Sequence, residues 1–196
     1  MMNTEIFSNI TNILERDSKS STYKFALLRG AIEIAQENSP YINEKLGRVY
    51  MPMGLLVYKF ILFYYPLFDS KVFVPQIGGS RRLAIQKYLS DLVCEYRDKG
   101  GISAFNKDIR GGGINSNGNF KFWELARIVA GTIKKMPMKH IYYTENGEKC
   151  YIFMVEEEGG LKQSQNIDLK YLIDNMGRFS VSQDYFEAFK VLGSFI

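Results

Sequence analysis

Basic side chains gather at several places in this chain: beside a helix start, ahead of a second helix, in a glycine-rich segment and before a hairpin signal. Lysine and arginine on one surface bind nucleic acid because each phosphate they neutralise releases counterions. We therefore predict a nucleic-acid interface with phosphate contacts at Lys19, Lys24, Arg81, Arg82, Lys107, Arg110, Lys134 and Lys139. Tyr23 and Asn117 are weaker candidates for base contacts. Taken singly, each of these charges is better explained as a solvated surface charge, and only their convergence on one surface would favour nucleic acid.

The glycine-rich segment at residues 107–119 is the longest candidate loop. A Walker-type phosphate loop needs Gly-Lys-Ser/Thr ahead of a helix, and a dinucleotide loop needs G-x-G-x-x-G after a strand. Neither pattern surrounds Gly111, Gly112 and Gly113. A phosphate here would be held by backbone N–H groups and by Lys107 and Arg110. The alternative is a flexible surface loop without a ligand.

The residue types in the chain give little support for a metal site or for a catalytic nucleophile. A zinc site takes about four Cys or His ligands with close pair spacing, and the chain has only His140, Cys94 and Cys150, with no such spacing. A Cys–His nucleophilic pair has no flanking motif. We therefore expect no metal and no cofactor, and two unpaired cysteines favour a reducing compartment.

Acidic pairs leave one weak enzyme hypothesis open. Asp91 and Glu95 share a helix face, and Asp168 and Lys170 have the Asp-x-Lys spacing of some metal-dependent nucleases. Such spacings arise by chance in most chains of this length. A metal-dependent nuclease is therefore the weakest of the functions we consider.

Composition fits an ordinary globular protein that has an anionic partner. The 196 residues are enough for one substantial core, and we expect a single domain over residues 1–196. Residues 151–196 carry seven acidic and four basic side chains, so a net charge of +7 falls on residues 1–150 and the whole chain has +4. A basic body with an acidic end is compatible with binding nucleic acid.

Membrane and export signals are lacking in the sequence. Residues 1–12 have neither a positive start nor a continuous apolar core. The most apolar run, residues 53–68, is short for a bilayer and contains Lys59 and Pro66. We expect a cytoplasmic protein without a membrane partner.

Residues 20–35 have the clearest helix pattern, and we expect the rest of the chain to be organised around them. Ser20, Ser21 or Thr22 could cap the helix, whose first N–H groups could also receive a phosphate. The predicted buried stripe is Phe25, Leu28, Ile32 and Ala35.

Other segments predict further helices and one hairpin. Helices are expected at residues 4–14, 53–65 (closed by Pro66), 80–98 (capped by Ser80), 120–135, 168–176 and 182–192. Strands at 140–143 and 151–155 should bracket Asn146-Gly147, followed by an acidic loop at 156–165, whereas residues 41–49 are ambiguous. The predicted class is mainly α with one β-hairpin (α+β), with a helical body over 1–119 and the hairpin region over 120–196. Helices followed by a hairpin also occur in winged-helix modules.

Short motifs along most of the chain, roughly residues 18–195, resemble the region near the start of bacterial HNH endonuclease-domain proteins of the restriction or phage-defence kind. They are Ser-Thr-Tyr-Lys-Phe-Ala-Leu-Leu-Arg at 21–29, the apolar run 53–68, Val-Pro-Gln-Ile-Gly at 74–78, residues 123–133, and Met-Pro-Met-Lys-His-Ile at 136–141.

That family places a ββα-metal nuclease module after this region, with a general-base His and often Cys pairs. With His140 alone and no Cys pair, no HNH catalytic residue can be assigned here. The resemblance implies a non-catalytic region that targets double-stranded DNA for a nuclease domain or subunit. The alternative is a protein-interaction or assembly module, which would dock a nuclease domain or a second copy of the chain.

Overall fold

The computed structural model describes residues 4–15, 22–70, 84–114, 116–162 and 166–194. The helices in these ranges are α1 Thr4–Glu15, α2 Tyr23–Gln36, α3 Met53–Asp69, α4 Gln86–Tyr96, α5 Gly101–Gly111, α6 Ser116–Lys135, α7 Pro137–His140, α8 Leu169–Asn175 and α9 Gln183–Gly193. A 3-10 turn, Arg97–Lys99, follows α4.

The strands form a four-stranded antiparallel sheet and a separate hairpin. They are β1 Asn43–Lys45, β2 Arg48–Pro52, β3 Tyr142–Glu145, β4 Glu148–Tyr151, β5 Met154–Glu158 and β6 Gly177–Ser182. The order in the sheet is β1-β2-β6-β5, and β3 pairs with β4. The sheet therefore joins strands from the two ends of the chain.

Helix α3 is the central element, as its sequence predicts, because residues 53–65 are apolar almost all round. Helix α2, around which we expected the chain to be organised, packs against it. Helix α3 also packs against α4, α5, α6 and α8 as well as against the sheet, and nearly every side chain from Met53 to Ile61 is buried. Pro66 lies inside α3 and does not end it; the helix runs on to Asp69. A proline near a helix end removes only one backbone hydrogen bond, and the packing of α3 compensates for that loss.

Helix α2 differs from its predicted amphipathic form. Three residues of the predicted stripe, Leu28, Ile32 and Ala35, are buried, whereas Phe25 is 50% exposed. Leu27, Ala31 and Ile34 are fully buried as well, so burial extends over more of the helix than one stripe. Thr22 precedes the helix but makes no capping bond. The hydroxyl of Thr22 lies 2.6 Å from the hydroxyl of Tyr64 in α3. This contact takes the place of a capping hydrogen bond.

The sheet contains most of the structure that the sequence did not predict. The ambiguous segment at residues 41–49 contributes β1 and the start of β2, part of the predicted acidic loop forms β5, and β6 was not predicted. Val49, Met51, Phe179 and Val181 alternate along β2 and β6 and are all buried. These side chains bury one face of the two central strands, whereas the edge strands β1 and β5 are mostly exposed.

The predicted glycine-rich loop is largely helical. Lys107 to Gly111 belong to α5, and α6 begins at Ser116. Gly112 and Gly113 separate these helices with φ of 133° and 101°, a backbone conformation that favours glycine. Helix α4 starts at Gln86; its predicted cap, Ser80, lies outside the described residues.

The buried apolar residues form one core that runs from Ile6 in α1 to Phe189 in α9. The predicted mainly α, α+β class is confirmed, although the sheet is larger than the single hairpin we expected. Among the described residues, the helices are too short or too polar to cross a membrane.

Candidate nucleic-acid interface

The end of α6 presents lysines to solvent. Phe122, Leu125, Val129 and Ile133 recur at helical spacing and face the core. Lys134 is therefore partly exposed and Lys135 exposed in the last turn. Cations are favoured at this end of a helix by its dipole.

The short helix α7 continues this basic surface. Pro137 and Met138 are buried, so the next two residues, Lys139 and His140, lie exposed. The proline is at the start of α7, where its missing N–H group removes no intrahelical bond. The chain then enters β3 within two residues.

The hairpin β3–β4 has the turn that its sequence predicts, but its second strand is Glu148–Tyr151 and not residues 151–155, which end β4 and begin β5. Asn146 and Gly147 have φ of 50° and 84°, the left-handed values that a two-residue turn of type I′ requires. Tyr142 lies opposite Tyr151, and Thr144 opposite Lys149. Directly paired residues, and those two positions away, share one face of an antiparallel pair, so these four side chains face the same way.

That face is aromatic and basic. The rings of Tyr142 and Tyr151 are 5.8 Å apart in an edge-on arrangement, and Lys149 Nζ lies 4.6 Å from the centre of the Tyr142 ring. The carboxylates of Glu145 and Glu148 belong to the opposite face by register. On that opposite side, Tyr143 packs near Tyr185 of α9.

We define the basic hairpin surface by six residues, Lys134, Lys135, Lys139, Tyr142, Lys149 and Tyr151. Helix α7 packs against β4, and Ile152 N donates to Ile141 O over 3.3 Å, so the helix end and the hairpin are adjacent. None of the four lysines forms an ion pair with an acidic residue in the described ranges. Positive charge without an acidic partner in these ranges, beside the partly exposed Tyr142 and the exposed Tyr151, is suited to a nucleic-acid backbone.

Lys107 and Arg110 lie elsewhere, on α5, which packs against α3, α4 and α8. Arg110 Nε donates to the Tyr58 hydroxyl over 3.0 Å, and that bond raises the pKa of the Arg110 guanidinium. Lys134 and Lys139 therefore lie on the consecutive helices α6 and α7, which pack against each other, whereas the second predicted pair lies on α5.

Tyr23 does not fit the predicted base contact. Its side chain is 5% exposed and its ring packs 5.7 Å from that of Tyr64. Burial raises the pKa of the Tyr23 hydroxyl, which lies near the backbone of Ile85 and Ala84. The prediction for Tyr23 is wrong because this side of α2 faces the core. Lys24, next to it, is partly exposed.

Four predicted contacts cannot be placed. Lys19, Arg81 and Arg82 lie outside the described residues, and so does the side chain of Asn117, whose backbone is in the first turn of α6. The Val-Pro-Gln-Ile-Gly motif at 74–78 lies outside them as well.

Three of the four residues in the candidate nuclease pairs have structural partners. Asp168 Oδ1 accepts a hydrogen bond from Tyr171 N over 2.6 Å and caps α8. Lys170 pairs with Asp174 over 2.6 Å, and Glu95 pairs with Lys99 over 3.5 Å. No group of three or more potential metal ligands occurs among residues that the structure describes.

The outer face of the four-stranded sheet holds a second polar cluster. Arg48 Nε donates to Ser180 Oγ over 2.8 Å and lies 3.3 Å from Glu156 Oε1. Ser180 in turn donates to Glu156. Because each of these side chains has a partner within the cluster, the arrangement stabilises the pairing of β2, β6 and β5.

Sequence reasoning did not identify Tyr142, Lys149 and Tyr151 as site residues. Their signal in the sequence was symmetry about the turn: Tyr142 is four residues before Asn146, and Tyr151 is four residues after Gly147. Only the register, which pairs Tyr142 with Tyr151, shows that they share a face with one another.

Comparisons with known proteins give a family without an assigned activity. No curated protein and no solved structure is significantly similar to the chain. One protein family matches residues 3–196, nearly the whole sequence. The chain therefore belongs to the family described as a domain of unknown function, DUF8808.

Proposed function

We propose that this chain is a cytoplasmic DNA-binding module that contacts the phosphates of duplex DNA through the basic hairpin surface. In this proposal, as the resemblance to HNH proteins implies, it targets a nuclease domain or subunit and is not catalytic by itself. The observation that carries the proposal is the proximity of two basic features. Lys134, Lys135 and Lys139 lie at the end of α6 and in α7, which packs against β4, and Lys149 lies on the aromatic face of the hairpin. None of the four lysines has an acidic partner among the described residues.

Electrostatics explains why convergence matters more than net charge. Each lysine that neutralises a phosphate contributes about −0.9 to the slope of log K against log salt. Four clustered lysines would give a slope of about −3 to −4 and binding that is measurable at low salt. Lysines scattered over the surface could not all contact one duplex.

The experiment is fluorescence anisotropy with a labelled blunt duplex over a salt series. The test variant combines Lys134→Gln, Lys139→Gln and Lys149→Gln. We expect it to bind more weakly and to reduce the steepness of the salt slope by about 3. Circular dichroism and thermal unfolding establish that the variant is folded.

A matched control removes the same charge elsewhere. Lys45 is exposed on β1, and Lys170 and Lys190 pair with Asp174 and Glu187. The triple Lys→Gln variant at these positions should keep most of the affinity. An equal loss in both triple variants, or no binding of the wild type at low salt, would show that the basic hairpin surface is not a DNA interface.

One observation favours the second candidate, a protein-interaction module. Leu46 is 90% exposed at the turn between β1 and β2, with a positive φ of 51°. Full burial of this side chain against a partner would be worth about 1.5–3 kcal/mol, since nearly all of its apolar surface now contacts water. Sedimentation equilibrium of the wild type and of Leu46→Asn tests self-association. Self-association through Leu46 is supported if the wild type is a dimer and the variant is a monomer. It is ruled out if both proteins are monomers.

A further inference from the structure

We infer that one face of α6 binds an unpaired DNA strand, which would continue from a duplex held at the basic hairpin surface. The inference deepens the proposed function and rests on it. Its basis is a stack of planar side chains, Phe120, Trp123 and Arg127, that lies on the solvent side of α6 and leads toward the lysines at the helix end.

The stack has a defined geometry. The rings of Phe120 and Trp123 are 5.7 Å apart with an interplanar angle of 27°, and Arg127 Cζ lies 4.5 Å from the centre of the Trp123 ring. Phe120 and Arg127 are one helical turn before and after Trp123, so they cover its two sides. Guanidinium and aromatic planes are the surfaces on which unpaired bases stack.

Of the three side chains in this stack, only Trp123 has a contact that contributes to the fold. Trp123 Nε1 donates to Leu161 O over 3.1 Å, which attaches α6 to the segment that follows β5 and fixes the indole ring. Phe120 nevertheless remains 48% exposed. Arg127 is exposed and forms no ion pair with an acidic residue of the described ranges. An exposed aromatic ring and an unpaired arginine on a fixed indole are available to a ligand.

Beyond Arg127 the helix surface has a gap. One turn further on is Gly131, where an added Cβ would meet no atom within 4 Å. Lys134 and Lys135 follow in the next turn. A base stacked on Arg127 could lie over Gly131 and place its phosphates beside the two lysines. The distance along α6 from Phe120 to Lys134 is about 21 Å.

The probes are a blunt DNA duplex, the same duplex with a single-stranded thymidine tail, and the duplex with a uridine RNA tail. We expect the DNA tail to raise affinity by about 5- to 100-fold, the range for stacking one base on an aromatic group. Trp123 is the only tryptophan of the chain, so its fluorescence reports binding at the stack directly.

Two variants locate the effect. Phe120→Ala should lose most of the tail's contribution and keep the affinity for the blunt duplex. Gly131→Leu fills the gap and improves helix propensity, so we expect reduced tail binding in a protein that is at least as stable as the wild type. Weaker tail binding by a variant of undiminished stability would show that the added side chain blocks the site and that the protein has not misfolded.

Each remaining outcome is decisive. Equal affinity for blunt and DNA-tailed duplexes, without a change in tryptophan fluorescence, would overturn the inference and leave the proposed function intact. Binding of neither probe would overturn both. Tighter binding of the RNA tail than of the DNA tail would overturn the assignment to DNA.

Discussion

Lys59 on α3 lies 2.9 Å from Glu33 on α2 and also contacts Glu37, although its own side chain is only 8% exposed. Burial alone would lower the pKa of Lys59, but hydrogen bonds and charge from Glu37 and Glu33 outweigh it and raise the pKa above the usual value. The pair of carboxylates therefore allows a lysine to lie between two packed helices.

Lys59→Met should destabilise the protein by about 1–2 kcal/mol. Removing one partner of a fully buried ion pair costs about 3–5 kcal/mol, and the partial exposure of Glu33 and Glu37 reduces that cost. Urea unfolding measures the change. Lys170→Met is the control: its pair with Asp174 is on the surface, so we expect a loss below about 1 kcal/mol.

The contribution of Lys59 should also depend on pH. The pKa is raised in the folded state, so the stabilisation is fully present below the unfolded value of about 10.4 and is lost as pH rises through the folded pKa. The stability difference between wild type and Lys59→Met should therefore be constant from pH 7 to 9 and shrink at higher pH. A stability difference between the two proteins that increases above pH 9 would contradict this prediction.

Gly54→Ala tests the close packing of α3 on α8. A Cβ at Gly54 would meet the Leu172 carbonyl group and lie 2.6 Å from Ile173 N, and backbone atoms cannot move aside as a side chain can. We expect a loss of about 1–3 kcal/mol or more in thermal unfolding. Gly131→Ala, at an open position of α6, should instead stabilise the protein by about 0.5–1 kcal/mol.

The sequence predicted those elements whose signals are local. Buried positions of α6 recur at helical spacing, Asn146-Gly147 specifies its own turn, and Asp168 caps α8 within three residues. The β2–β6 pairing could not be predicted in this way, since Val49 and its partner Val181 lie far apart in the chain. Short strands receive their stability from such distant partners.

The contrast between local signals and contacts with distant residues also applies to the basic hairpin surface. Lys134 and Lys139 were predicted because they flank a recognisable helix end and hairpin. The position of Lys149 over the Tyr142 ring depends on strand register and side-chain packing, and neither is encoded in neighbouring residues. Tyr23 was misassigned for a related reason: the burial of α2 on nearly all sides follows from its contacts with α3, α7 and α9.

Leu46→Asn should stabilise the isolated protein by about 0.5–1 kcal/mol. Leucine pays a steric cost at positive φ, whereas asparagine before glycine is preferred in a two-residue turn of type I′. Because Leu46 is almost fully exposed, its removal loses little packing. Differential scanning calorimetry checks the expected rise in Tm; a fall would show that the leucine contacts apolar surface in solution.

Asp168 provides a test that separates a helix cap from a catalytic carboxylate. Its Oδ1 atom accepts a hydrogen bond from Tyr171 N, and asparagine can accept the same bond through its side-chain carbonyl group. We expect Asp168→Ala to cost about 1 kcal/mol of stability and Asp168→Asn to cost much less. Chemical denaturation of both variants measures this difference. If the wild type cleaved DNA with a divalent metal and Asp168→Asn abolished that cleavage without loss of stability, the carboxylate would be catalytic rather than only a cap.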